Sequence, residues 1–222
     1  MPASELTPWW SAGSWISMLM LRAAFRVRVE GIANIPASGP AILAFNHVSV
    51  IDGPALAIEV ARRRRRESRF LVASEVFGKF FFGWALRSFD QIPIRRGQGD
   101  AHALDQAILT VKAGAIAAIA PEGRVNDDPE AGLQRTRRGV ARLALPTGAP
   151  VIPVGLWGSQ VRWPHAGLRF GRPWRPRLAF VFGEPIVPHG DASVVADIEA
   201  FSECVREAIA EQVVRARLVA GS

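Results

Sequence analysis

Ala41-Ile42-Leu43-Ala44-Phe45-Asn46-His47-Val48-Ser49-Val50-Ile51-Asp52-Gly53-Pro54 carries an apolar run, a polar turn and a helix opening in succession. Ala41–Phe45, five apolar residues in a row, reads as a strand buried on both faces. Gly53-Pro54 reads as the opening of a helix, because proline is preorganised for the first turn and its missing N–H costs nothing there. Between strand and helix lies a turn carrying one imidazole and one carboxylate. On an ideal helix five positions would set His47 and Asp52 about 140° apart, whereas a strand-to-helix turn folds the carboxylate back to the ring. That pairing fixes the imidazole tautomer and stabilises the imidazolium, as a general base toward a hydroxyl requires. Two plainer readings stand beside it: Asp52 as a helix N-cap, and His47 as a turn histidine satisfied by its neighbours.

The same alternation continues outward. Short apolar runs at Phe70–Ala73, Gln91–Ile94, Ala115–Ala120, Val151–Leu156 and Leu178–Phe182 read as strands. Helical patterns fall at Pro54–Arg66, Val76–Arg87, Asp100–Ala113 and Thr136–Leu145. A last helix is capped by Asp191 or Ser193 and recurs at Val194, Ile198, Phe201, Val205, Ile209 and Val213. Alternating strands and helices argue for an α/β sheet with covered faces. At 222 residues, against roughly 150 per domain, and with no repeat or dividing linker, one domain is expected.

Composition narrows the class. Hydrophobic content of 49% and charged content of 21% exclude disordered, collagen-like and coiled-coil chains. Cys204 is the sole cysteine, which excludes a disulfide scaffold and a cysteine zinc cluster. His47, His102, His165 and His189 are scattered without ligand spacing, so no metal is expected. The net charge is +7, and Lys79 and Lys112 are the only lysines among 27 basic residues. Arginine forks onto phosphates and carboxylates, so an anionic partner is expected: phospholipid headgroups, a phosphorylated small molecule or nucleic acid. Arg62–Arg66 and the aromatic-interleaved stretch Arg162–Arg177 are the places a nucleic-acid surface would form. No nucleic-acid-binding module is legible around them, and none is expected to bind. The plainer reading of the first run is a solvated helix end, where cations suit the dipole.

Trp9–Leu21 is apolar but 13 residues long, against about 20 for a bilayer span. It fits an interfacial helix, with Trp9, Trp10 and Trp15 at the headgroup boundary and Arg22, Arg26 and Arg28 following. A helix simply packed on the domain is the alternative. Phe77, Phe80, Phe81, Phe82 and Trp84 are too many for one buried stripe, so part of that surface is expected to be apolar.

Three further strand exits carry chemistry-bearing residues. Pro121-Glu122-Gly123-Arg124 offers a glycine where backbone approaches a ligand and an arginine suited to an anion. Gln91–Gly97 places Arg95 and Arg96 at another strand end, where ligand sites of open α/β sheets gather. Ala149–Gly155 reads as a buried strand interrupted by prolines, an edge or a bulge.

Taken in this order, the four blocks resemble the glycerolipid acyltransferases, the family of bacterial 1-acylglycerol-3-phosphate acyltransferases. Asn46–Asp52 resembles its His-x4-Asp motif, Ile92–Arg96 its second block, Pro121-Glu122-Gly123 its third and Val151–Val154 its fourth, across roughly residues 30 to 190. The third block departs from the usual Glu-Gly-Thr-Arg, since Arg124 follows Gly123 directly, as in domains acting on lyso-phosphatidylethanolamine. Arg95 stands where an acidic residue is usual.

The resemblance implies a single α/β domain with a mixed central sheet and helices on both faces. An N-terminal interfacial helix would occupy residues 1–29 and the acyltransferase domain residues 30–222. His47 would be the general base and Asp52 its support. The hydroxyl of lysophosphatidic acid would attack an acyl thioester on coenzyme A or acyl carrier protein, with no cofactor and no covalent acyl-enzyme. Arg96, Glu122 and Gly123 would hold the acceptor's phosphate region, and Arg124 joins them from its position beside Gly123. Another lysophospholipid, such as lyso-phosphatidylethanolamine, is the alternative acceptor. A non-catalytic protein binding anionic lipid is the alternative class. The expected place is the cytoplasmic side of the cell membrane, peripheral or monotopic.

Overall fold

The strand Ala41–Phe45 alternates between two cores. In a computed structural model that describes residues 6–95 and 100–221, Ala41, Leu43 and Phe45 enter one core and Ile42 and Ala44 the other. A strand apolar at every position belongs in mid-sheet with both faces covered. Seven strands form the sheet: β1 (Arg26–Glu30), β2 (Ala41–Phe45), β3 (Ser68–Ala73), β4 (Ile92–Ile94), β5 (Ile116–Ile119), β6 (Val151–Trp157) and β7 (Arg177–Phe182). Their spatial order is β1-β7-β6-β2-β5-β3-β4. All neighbours pair in parallel except β6 with β7, so β1 and β7 run against the other five.

The helices are α1 (Pro8–Ala24), α2 (Asp52–Arg64), α3 (Ser74–Phe77), α4 (Phe80–Ser88), α5 (Ala101–Lys112), α6 (Gly139–Ala144) and α7 (Val195–Ala220). Leu21 of α1 and Ala55, Leu56 and Val60 of α2 share a core with Leu43, Ile152 and Phe180 of the sheet. On the opposite face α5, α6 and α7 bury Ala107, Leu143 and Phe201 against Ile42, Ala117 and Val151. Along α7 the residues Ile198, Phe201, Val205, Ile209 and Val213 are all buried, as their spacing predicts.

Several local expectations are corrected. β1 reads in sequence as arginines trailing a helix, because only Val27 of this edge strand is fully buried. The helix expected over Val76–Arg87 is two short ones, parted at Gly78–Lys79. α6 starts at Gly139 rather than Thr136, and the Arg137 N–H before it donates to the Pro121 carbonyl at 2.8 Å. Val194 occupies the N-cap of α7, and the Asp191 carboxylate instead accepts from the Ser193 N–H and hydroxyl.

β6 is not an edge strand; it lies between β2 and β7 and carries a bulge on its antiparallel side. Val151 exchanges hydrogen bonds with Ile186 at 2.9 and 2.8 Å, while Val154 pairs with Phe182. Residues 183–185 therefore face only 152–153. Pro153 sits at this mismatch, where it owes no N–H to the ladder, and its carbonyl accepts the Gly183 N–H at 2.9 Å. At Gly155 a Cβ would stand 2.2 Å from the Gln212 carbonyl, so α7 rests directly on the β6 backbone.

In α1, Trp10 turns inward onto Phe89, with ring centroids 4.9 Å apart, and so leaves the set of tryptophans expected at a headgroup boundary. Trp9, Trp15, Ile16, Leu19 and Met20 are exposed, as are Phe80, Phe82 and Trp84 of α4; the Phe81 side chain lies outside what is described. Trp9 meets Trp84 edge-on at 6.0 Å, which joins the two exposed faces. Among the described residues no helix is long and apolar enough to cross a membrane. The arginine run is not wholly a solvated end: Arg62 stacks on Trp15 at 4.9 Å, and Arg63 pairs with Glu59 at 2.7 Å. Arg66 is buried and donates to the carbonyls of Pro36, Gly39 and Gly114.

Candidate active site

Because β2, β4, β5 and β6 all run the same way, their C-terminal ends meet at one edge of the sheet. Ligand sites of open α/β sheets form there, and all four sequence blocks arrive at it. From the end of β2 the chain turns through Asn46–Ile51 into α2. Asn46 continues the sheet with its side chain, accepting the Leu156 N–H at 2.7 Å and donating to the Leu156 carbonyl at 3.0 Å.

Asp52 is completely buried at the first turn of α2. It does not cap that helix, whose N-cap is Ile51; its carboxylate reaches back over the turn instead. Oδ2 accepts the Val48 and Ser49 N–H groups, each at 2.7 Å, and lies 3.1 Å from His47 Nδ1. Oδ1 accepts the Ser159 hydroxyl at 2.5 Å. With Nδ1–H donating to the Asp52 carboxylate, the ring carries its lone pair on Nε2. The His47 side chain is 17% exposed.

The backbone of His47 is clamped from the end of β5. Its N–H donates to Glu122 Oε1 at 2.8 Å, and its carbonyl accepts the Asn126 N–H at 2.6 Å. Glu122 Oε2 accepts the Gln134 N–H at 3.0 Å. Both oxygens of Glu122 thus serve backbone amides, so this carboxylate frames the turn rather than reaching toward an anion. Burial pushes its carboxyl above the ordinary 4.5, and the two N–H bonds oppose that rise.

Gly123 has φ +71, the left-handed region, and a Cβ there would lie 3.2 Å from Arg137 Nε. Arg124 is exposed and donates to Gln134 Oε1 at 2.9 Å. Arg96 lies outside the described residues. Its neighbour Arg95 gives its N–H to the Asp100 carboxylate at 2.8 Å, where Asp100 also caps α5. The structure thus brings His47, Asp52, Glu122, Gly123 and Arg124 to one edge. Among the described residues no group of three or more His, Cys, Asp or Glu is placed to hold a metal ion.

Sequence reading missed five contributors, among them Asn126, whose N–H holds the His47 carbonyl. Ser159 reaches Asp52 across 107 positions, and Leu156 reaches Asn46 across 110. Gln134 and Arg137 approach from the loop after β5. Only the Gly158-Ser159 pair at a strand exit carried any local signal. Chemically, the arrangement offers a base with a fixed tautomer beside cationic side chains, fit to deprotonate a hydroxyl on an anionic molecule.

Comparison with known proteins bears on which chemistry this is. A family model described as Acyltransferase matches residues 26–157. An uncharacterized protein of Mycobacterium leprae is 34% identical over 151 residues, covering 63% of this chain and 38% of its own length. A chloroplastic 1-acyl-sn-glycerol-3-phosphate acyltransferase of Brassica napus is 26% identical over 138 residues, covering 61% of this chain and 38% of its own. The chain thus spans less than two-fifths of the length of these relatives. The crystal structure of a 1-acyl-sn-glycerophosphate acyltransferase from Thermotoga maritima superposes with a TM-score of 0.69 at 23% identity. It covers 92% of this chain and 79% of that one, and shares its fold.

Proposed function

The chain belongs to the Acyltransferase family, and from that premise we propose that it moves a fatty acyl group from an acyl thioester to the free hydroxyl of lysophosphatidic acid. The observation that carries this reading is the His47–Asp52 pair: a fully buried carboxylate met by four donors, one of them the imidazole, whose second nitrogen is left as the base. Nε2 takes the hydroxyl proton as the oxygen attacks the thioester carbonyl. The oxygen–acyl bond forms, the carbon–sulfur bond breaks, and the thiol leaves with a proton. Asp52 steadies the imidazolium that exists between these events. Glu122 acts on His47 through its backbone. Gly123, Arg124 and Arg96 serve the acceptor's phosphate, with Arg137 joining them from its place over Gly123.

The same reading places the protein on the cytoplasmic face of a membrane. The exposed apolar faces of α1 and α4 support this, as do Arg62 and Arg63 beside them, since an acceptor with one acyl chain is drawn from a lipid surface.

The test is acyl transfer from radiolabelled acyl-CoA, then acyl carrier protein, to lysophosphatidic acid, lyso-phosphatidylethanolamine and glycerol 3-phosphate, with His47→Ala alongside. Product with lysophosphatidic acid, reduced about 10²–10⁴-fold in the variant, is expected from the worth of a placed base. Product only with the ethanolamine lipid would move the acceptor to the alternative that the shortened third block favours. No product with either donor would leave a lipid-binding protein.

A further inference from the structure

We propose that the recess beside residues 162–176 takes the phosphorylated nucleotide end of coenzyme A as the acyl donor; this rests on the acyl-transfer reading above. The stretch carries Arg162, Arg169, Arg172 and Arg175 and no acidic residue. It is a built loop. Arg162 donates to the carbonyls of Gly171 and Pro173 at 2.9 and 2.6 Å, and Arg175 donates to the Arg22 carbonyl at the end of α1 at 2.5 Å. The Ser49 hydroxyl donates to the Trp163 carbonyl at 2.5 Å, which ties the loop to the turn that carries His47. Trp174, 75% exposed, then stands with Arg26, Arg172 and Arg175 around a recess of about 360 Å³.

Strand direction puts this recess on the chemical edge of the sheet. β1 and β7 run against β6 and β2, Arg26 pairs with Arg177, and Ala179 pairs with Trp157. Arg26 therefore stands toward the same end as His47, three strand spacings across the sheet from β1 to β2, so at least about 14 Å away.

That separation selects the occupant. In a lysophospholipid the phosphate lies a few bonds from the hydroxyl, so an acceptor with its hydroxyl at His47 cannot also place its phosphate here. In coenzyme A a long pantetheine arm divides thioester from nucleotide and spans such a gap. An exposed indole is a platform for adenine, and guanidinium forks match phosphates. An acyl carrier protein presents the arm without a nucleotide.

The test titrates adenosine 3′,5′-bisphosphate into the protein by calorimetry, for the native chain, Arg172→Ala and Trp174→Ala. Both side chains are exposed, so the variants keep the fold. Each is expected to weaken binding about tenfold. The ratio of kcat/KM for acyl-CoA to that for acyl-pantetheine is expected to fall by a similar factor. No binding by the native chain, or binding indifferent to both substitutions, overturns the proposal. So does a loss of adhesion to phosphatidylglycerol vesicles with bisphosphate binding intact, which would give the recess to lipid. Calorimetry needs no turnover, so a failed acyl-transfer panel would sink the reaction while the titration still decides the recess.

Discussion

A carboxylate withdrawn completely from water persists as an anion only if its oxygens are satisfied. Asp52 meets that condition with two backbone N–H groups, the imidazole and the Ser159 hydroxyl. The motif supplies three of these donors from within six residues, and the turn after β6 supplies the fourth. Ser159→Ala leaves Oδ1 without its donor, which costs about 1–3 kcal/mol of stability. It should also lower kcat more than KM, because the loosened carboxylate no longer fixes the imidazole. Ser159→Thr, which keeps the hydroxyl, should restore most of both. Denaturant unfolding beside steady-state kinetics reads the two effects, and a Ser159→Ala protein with native kcat would show that the backbone donors suffice. His47 and Asp52 were legible because the motif is local. Ser159 was not, because its contact closes only when β6 lies beside β2.

At the scale of elements, parallel pairing of β2, β4, β5 and β6 gathers four separate blocks at one edge, and α7 fixes β6 in place. The approach of α7 is close at Gly155, where a Cβ would sit 2.2 Å from backbone atoms of Gln212. Gly155→Ala must therefore shift a helix rather than a flexible side-chain end. A loss of about 1–3 kcal/mol, at the upper end of that range, is expected from overpacking. Thermal or denaturant midpoints would read it, and an unchanged midpoint would mean that α7 slides freely over β6. Apolar runs announced the central strands because both faces of β2, β5 and β6 are buried. β1 went unannounced because an edge strand with Arg26, Arg28 and Glu30 meets water and carries no such run. Pro153 suggested an edge strand or a bulge, and the pairing beside Gly183 decides for the bulge, in mid-sheet.

Across the whole molecule the charge of +7 is not spread evenly. Arg62 and Arg63 flank the apolar face shared by α1 and α4, where Trp9, Met20, Phe80 and Trp84 are exposed. Adhesion to vesicles containing phosphatidylglycerol should weaken with rising salt, at about 1 kcal/mol per arginine near the surface. Phe80→Ser with Met20→Ser should reduce it further at fixed salt. Sedimentation with vesicles measures both, and binding indifferent to the apolar pair would remove α1 and α4 from the interface. The α/β class, the central strands, the last helix and the His47–Asp52 pair were legible from local signals: uninterrupted apolar runs, helical spacing, and two side chains on one turn. The strand order, the inward turn of Trp10, the burial of Arg66, the framing role of Glu122 and the hydroxyl that Ser159 brings to Asp52 emerge from the folded chain alone. Each of these depends on residues tens of positions apart, whose meeting is set by how the sheet is ordered and how its two faces are packed.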